Sequence, residues 1–389
     1  MAQREYDIVI FGATGFAGRL TAEYLARAVP PGVRWAIAGR NAGKLAEVRA
    51  GLTALDPALA DLPLLTADVA DPDSLRRLAE STRVLVTTVG PYVLYGDGVV
   101  GACAAAGTDY LDLTGEPEFV DTTYVRHHET AARTGARLIH AAGFDSVPHD
   151  LGALFTVEQL PDDAPLRVAG YVRVSGTFSG GTLYSALTAF SRPRQNVAAT
   201  RARRSLEPRT TGRTVHAGAG RPGRGPLGDG WALPFPSLDP QVVGRSARAL
   251  DRYGPDFRYT HHVSVARLAT AAALPLGVLG AAAAAQIPPA RRALLARVEP
   301  GEGPSVARRA ASWFTVTFVG EGGGQRVVTR VSGGDPGYDE TAKMLGESAL
   351  CLAQDDLPDV AGQVTTAQAM GDTLIERLRR SGIDFETVG

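Results

Sequence analysis

The chain has 389 residues, a net charge of −1 and 44% hydrophobic residues, so it is long enough for two folded domains and lacks the basic excess that would point to nucleic acid. With 21% charged residues it reads as an ordinary soluble globular protein. Its two cysteines, Cys103 and Cys351, sit in Ala-rich surroundings with no CxxC spacing, which predicts reduced core thiols in a cytoplasmic protein and no disulfide framework.

The first element is "DIVIF", a short apolar run that reads as a fully buried parallel strand. It starts within the first ten residues, so no signal peptide is expected. The run stops at Gly12, and the turn Gly12, Ala13, Thr14, Gly15, Phe16, Ala17, Gly18 opens a helix with apolar positions at helical spacing. Strand, glycine turn and helix together predict a dinucleotide site. Gly12 serves the tight turn, Gly15 the approach of a pyrophosphate, and Gly18 close helix–strand packing. The helix start offers free N–H groups to the phosphates.

The alternation continues through "RWAIAG", "LPLLTAD", "RVLVTTV", "DYLDL" and "ARLIHAA", with helices between them. That pattern predicts an α/β fold, a Rossmann-type doubly wound parallel sheet over residues 1–150. The second strand ends in "AGRNAGK". An acidic residue that would bond a bare ribose is missing there; Arg40, Asn41 and Lys44 stand instead, and a guanidinium suits a 2′-phosphate. The expected cofactor is therefore NADPH. Asp68, ending the third strand, either borders the adenine or caps the next helix, a role open equally to Asp71. Val89, Gly90 and Pro91 end the fourth strand where a nicotinamide would lie, and Tyr92 follows on the open side.

After residue 150, "LRVAGYVRVSG" and "SWFTVTFVGEGGGQRVVTRVSG" alternate apolar and polar residues and predict a half-buried antiparallel sheet. Residues 151–360 are expected to form a mixed α+β domain for substrate and dimerisation, with a loop-rich Arg/Gly/Pro stretch over 191–240. Residues 361–389 are expected to be a C-terminal helix and tail, packing back on the first domain. The uncharged segment 268–287 is expected to be a buried or interfacial helix, with peripheral membrane contact as its sharper reading.

Several blocks, "GATGFAGR", "AGRN", "VGPYVLYG", "YLDLTGE", "AGFDSVPHDLG", "SGGT", "GDPGY" and "AMGDTLIERLR", resemble the saccharopine dehydrogenase-like oxidoreductases. The resemblance is strongest to their bacterial branch of trans-acting enoyl reductases and runs nearly end to end. It implies an NADP-binding domain, a second domain that mediates a homodimer, and reduction of a C=C or C=N bond. The branch acts on chains held by polyketide or lipid synthases, so an acyl substrate, free or carrier-bound, is implied.

The residues themselves narrow the chemistry. No tyrosine has a lysine four positions later, which removes the short-chain-dehydrogenase mechanism, and the Cys and His spacings offer no metal site. Direct hydride transfer with one proton donor remains. Asp145, Ser146, His149 and Asp150 cluster at the sixth-strand exit. His149 and Tyr92 are the candidate proton donors, with Ser146 or a helix-start N–H facing an oxyanion; Ser146 with Pro148 also reads as a helix cap. Glu116 is expected to fix a loop or position substrate, and Tyr338 to line a wall. Gly180, Gly181 and Thr182 offer a second anion-binding turn, or an ordinary cap at Ser179. Nine arginines against one acid over 192–224 suggest docking of an acyl carrier protein or coenzyme A. The alternatives are an imine reductase and a non-catalytic protein that binds nucleotide and a lipid surface.

Overall fold

The computed structural model describes residues 4–175, 187–188, 190–208, 211–226, 228, 230–295 and 303–388. The 180–182 turn lies outside these residues.

The first half is built from β1 (Tyr6–Phe11), α1 (Phe16–Ala28), β2 (Trp35–Gly39), α2 (Ala42–Leu55), β3 (Leu64–Thr66), α3 (Pro72–Ser81) and β4 (Thr82–Thr87), followed by α4 (Tyr92–Tyr95), α5 (Asp97–Ala106), β5 (Asp109–Leu111), α6 (Pro117–Thr134) and β6 (Arg137–Ile139). The strands are parallel, in order β3-β2-β1-β4-β5-β6, with Ile10 beside Ile37 on one side and Val86 on the other. Both faces of β1 are buried because helices cover each side, which is why its sequence is apolar without alternation.

Beyond β6 come α7 (Val147–Val157), β7 (Leu166–Ser175), α8 (Pro193–Leu206), β8 (Thr214–Ala219), β9 (Gly223–Arg224), β10 (Trp231–Pro234), α9 (Asp239–Ala249) and β11 (Asp256–Val265). Next are α10 (Leu268–Gln286), α11 (Pro288–Leu295), α12 (Val306–Ala310), β12 (Trp313–Gly322), β13 (Gln325–Gly333) and α13 (Asp339–Gln354), then β14 (Gly362–Val364), α14 (Thr366–Ala369), α15 (Gly371–Arg380) and β15 (Asp384–Thr387). The second sheet runs β15-β13-β12-β7-β11-β10-β9, with β8 also on β11. It is mixed rather than antiparallel, since β7 and β8 both pair parallel to β11.

The structure redraws the expected boundaries. β14 adds to the first sheet, Val364 pairing beside Ile139, and β15 returns to the second. Between the sheets lie α7, α13 and α15. A Cβ on Gly152 of α7 would meet the Phe318 ring at 2.3 Å, and one on Gly346 of α13 would meet Tyr24 of α1 at 2.5 Å. One apolar core therefore runs from Ile8 and Ile10 through Leu151 and Met344 to Phe314 and Phe318. Cys103 and Cys351 are buried free thiols within the packed interior.

The 191–240 stretch is more ordered than its composition suggests. α8 packs along α6, with Arg192 on Glu118 at 2.6 Å and Arg203 between Asp121 (2.5 Å) and Glu207. Of the two readings of 268–287, buried or interfacial, burial fails: α10 is a helix with its middle exposed.

Candidate active site

The glycine turn closes on the end of β4. Gly12 has φ +95°, and a Cβ there would lie 2.8 Å from both Thr88 Oγ1 and the Val89 side chain. A Cβ on Gly18 would lie 2.3 Å from the Gly12 carbonyl oxygen, so α1 crosses β1 at a distance only glycine allows. Gly15 is different: its nearest neighbour is the Gly12 oxygen at 3.4 Å, and it occupies the α1 N-cap, where a glycine has no side chain of its own to satisfy the helix start. The first hydrogen bond of the helix runs from Arg19 N to Gly15 O, so the N–H groups of Phe16, Ala17 and Gly18 precede it and can receive an anion. The turn thus fits a dinucleotide pyrophosphate. Ala13 is buried against β2 through its N–H to Ala38 O, with Thr14 beside it.

At the end of β2, Asn41 is occupied as the α2 cap, its Oδ1 accepting from Lys44 N at 3.0 Å. Arg40 and the Lys44 side chain are exposed. The Asp68 carboxylate accepts from Ala70 N at 2.9 Å in its own turn, and Asp71 takes the α3 cap.

The β4 exit carries Val89 and the Gly90–Pro91 peptide, which is cis. Tyr92 does not face the crevice. It is buried, its hydroxyl donating to Thr87 O and accepting from Leu113 N, both at 3.2 Å, so it ties β4 to β5 rather than offering a proton. Burial, and then the charge of Asp112, raise its pKa well above the usual tyrosine value. Glu116 fixes the adjoining loop, as its type suggested, by accepting from Tyr92 N and Val93 N. Behind them Asp112 takes His140 Nδ1 at 2.6 Å, the Tyr110 hydroxyl at 2.9 Å and the N–H of Ala141, whose φ is +57°. That buried cluster holds the β5 and β6 exits in register.

The "GFDSVPHD" segment makes the β6 exit. Phe144 N donates to Thr341 Oγ1 at 3.2 Å, which joins this block to the one holding Tyr338, whose ring stands edge-on to Phe16 at 4.7 Å. Ser146 stands at the α7 N-cap position but does not cap it; its hydroxyl donates to Asp239 Oδ1 at 3.1 Å. The N–H groups of Ser146 and Val147 both donate to Gly143 O, so neither they nor the hydroxyl remain for an oxyanion. Asp150 is structural: it accepts from Ser246, Thr366 and Ala367 N and joins α7, α9 and α14.

His149 is buried with Nδ1 3.6 Å from Asp239 Oδ1. His261 Nε2 lies 3.3 Å from Asp239 Oδ2, and the Tyr259 hydroxyl holds His261 Nδ1 at 2.9 Å. Burial first, and the neighbouring His261, push the His149 pKa down to about 4 against the pull of Asp239. The imidazole is therefore neutral at physiological pH and a poor acid. Asp239 and His261 escape sequence reading because about ninety and more residues separate them from Ser146, and only the meeting of α7, α9 and β11 joins them.

Asp145 differs from its neighbours. It is half-buried, beside Gly115 at the β5 exit, whose Cβ position lies 3.7 Å from the Asp145 carboxyl carbon. Burial, then the carboxylates Asp239 and Asp112, push its pKa up to about 7. A carboxyl group that stays partly protonated at neutral pH at a strand exit is suited to general acid–base work.

Fold and site define the class, an NADP-binding oxidoreductase, and the comparisons with known proteins agree. The "Saccharopine dehydrogenase NADP binding domain" family matches residues 8–139. A trans-acting enoyl reductase of Mycobacterium ulcerans is 36% identical, over 98% of this chain and 97% of its own. A Mycobacterium tuberculosis protein that carries the same name provisionally is 40% identical, over 99% and 98%. The chain belongs to this family of saccharopine dehydrogenase-like enoyl reductases. Apo saccharopine dehydrogenase (L-Glu forming) of Saccharomyces cerevisiae covers 99% of the chain with a TM-score of 0.55 at 10% identity, a likeness of fold.

Proposed function

We propose that the chain is an NADPH-dependent reductase of an activated C=C bond in an acyl or polyketide-type thioester, with Asp145 as proton donor. The observation that carries this reading is the Asp145 carboxyl group, raised to about 7 at the joined exits of β5 and β6. The Gly12–Gly18 turn would hold NADPH, which would supply a hydride for the β-carbon. Arg40 would pair with its 2′-phosphate, and Lys44 would add positive charge nearby. Asp145 gives its proton to the α-carbon as the acceptor becomes saturated, and takes another from water. Burial, and then the charge of Asp239, keep that proton on Asp145 near neutrality. A neutral His149 cannot replace it.

A reaction that needs a proton on carbon explains a protonatable carboxyl group. A cationic iminium acceptor would need none, which favours C=C over C=N. Asp145→Asn should lower kcat on an enoyl thioester by roughly 10²–10⁴-fold with the NADPH Kd unchanged. Because the protonated carboxyl is the active form, wild-type kcat should be flat below pH 7 and fall about tenfold per unit above it. Full activity in the variant, or turnover of imines alone, would remove the assignment.

The carrier surface proposed for 192–224 rests on one helix face; Arg209 lies outside the described residues, and Arg221 and Arg224 are exposed beyond that helix. Arg192 and Arg203 are held by acids, and Arg213 reaches Asp251. Arg194, Arg201 and Arg204 are exposed on α8 at helical spacing around Val197, which is 59% exposed. This basic face with an apolar centre suits an acidic carrier protein. Reversing its three charges should raise KM for a carrier-bound substrate and leave that of a short free thioester alone.

A further inference from the structure

We infer that α10 is a monotopic membrane anchor, lying flat in the surface of an anionic lipid bilayer. Its 19 residues carry no charge, and its most apolar window has a mean hydropathy of 1.8, yet only 11% of that window is buried. Ala272 to Gly280 are exposed without a break. Leu274 and Val278, 38% and 45% exposed, fall on the same side of the helix as the buried Ala271 and Ala285, so that side turns toward the protein and the opposite one outward. Leu276 and Leu279 are 71% and 65% exposed. A second copy or a partner helix would cover a narrow stripe of that outward side, whereas the acyl–headgroup boundary of a bilayer covers its full width.

The ends decide how it sits. Ala271 and Ala285, near the two termini, are both buried, the helix touches β10 and β11, and the Gln286 amide donates to Phe190 O. A spanning helix must deliver its ends to opposite sides of the bilayer, whereas these ends return to one body. The apolar middle can therefore enter only the interfacial layer. The charge pattern agrees: from 266 to 295 the charged residues are Arg267, Arg291 and Arg292, with no acid among them. Such flanking arginines match anionic headgroups. Trp313, 39% exposed, lines one groove with Val265 and Ala266 just before the helix, which sets an aromatic anchor at its N-terminal end.

The test is flotation of the full chain with phosphatidylcholine vesicles, with and without phosphatidylglycerol, and needs no turnover. The wild type should float with the anionic vesicles, less so at high salt, and be released by alkaline carbonate. The combined change Leu276→Ser, Val278→Ser, Leu279→Ser should cut the floated fraction by about tenfold or more while NADPH affinity and the melting curve stay as in the wild type. In the wild type, brominated lipid should quench a tryptophan signal that Trp313→Phe removes. Failure to float with either vesicle, or undiminished flotation of the folded triple variant, overturns the proposal. So does resistance to carbonate, which marks a span. A halved molecular mass in the triple variant, with no flotation of the wild type, would make a second copy the occupant instead.

Discussion

Arg40 stands exposed one residue past β2, where the choice between a bare and a phosphorylated ribose is made. Arg40→Ala should weaken NADPH binding by roughly ten- to a hundredfold, the worth of a charge-assisted hydrogen bond or two, and leave NADH binding unchanged. Fluorescence titration with each nucleotide checks it; equal losses for both would place Arg40 elsewhere. Much of the glycine turn was legible because its glycines answer local needs, as the +95° φ of Gly12 and the 2.3 Å approach at Gly18 show. The proposed proton donor was not legible. Tyr92, His149 and Asp145 are equal as residue types. What separates them is the cost of ionising each: Tyr92 is tied to main chain, His149 is neutralised by burial, and Asp145 is held near 7 by burial and then by two carboxylates. The raised Asp145 pKa also has a stability consequence: its contribution is fully present below about pH 4 and is lost as pH rises through about 7. Asp145→Asn should flatten that part of a melting-temperature profile.

Among the elements, the buried strands of the first sheet could be read from their apolar runs, since parallel strands covered on both faces need no polar alternation. β14 could not. "GQV" carries no such run, and Gln363 is buried because its amide reaches Val120 O and Thr123. The α6–α8 pair shows how composition misleads: arginines that look like a solvated stretch include Arg203, 4% exposed and locked onto Asp121 and Glu207. Arg203→Ala leaves Asp121 buried without its partner cation and should cost about 3–5 kcal/mol of stability, measured by urea unfolding. A loss under about 1 kcal/mol would mean that the pair behaves as a surface ion pair.

The whole molecule is less divisible than its two sheets suggest. α13 covers α1 and the inner side of β1 and β4, and β14 closes the edge beyond β6, so the first sheet depends on residues from the end of the chain. Residues 1–150 expressed alone should therefore lack a cooperative melt and bind NADPH poorly; a sharp transition with intact binding would show the half to be self-sufficient. By itself, the sequence determined the nucleotide half, because strand period, glycine spacing and the missing acid are local properties of short stretches. Tertiary structure decided what lay beyond local reach: the gathering of Asp239 and His261 around His149, the near-neutral pKa of Asp145, and the exposure of α10. Each depends on which distant residues share a low-dielectric neighbourhood or leave a surface uncovered, and a linear pattern carries neither kind of information.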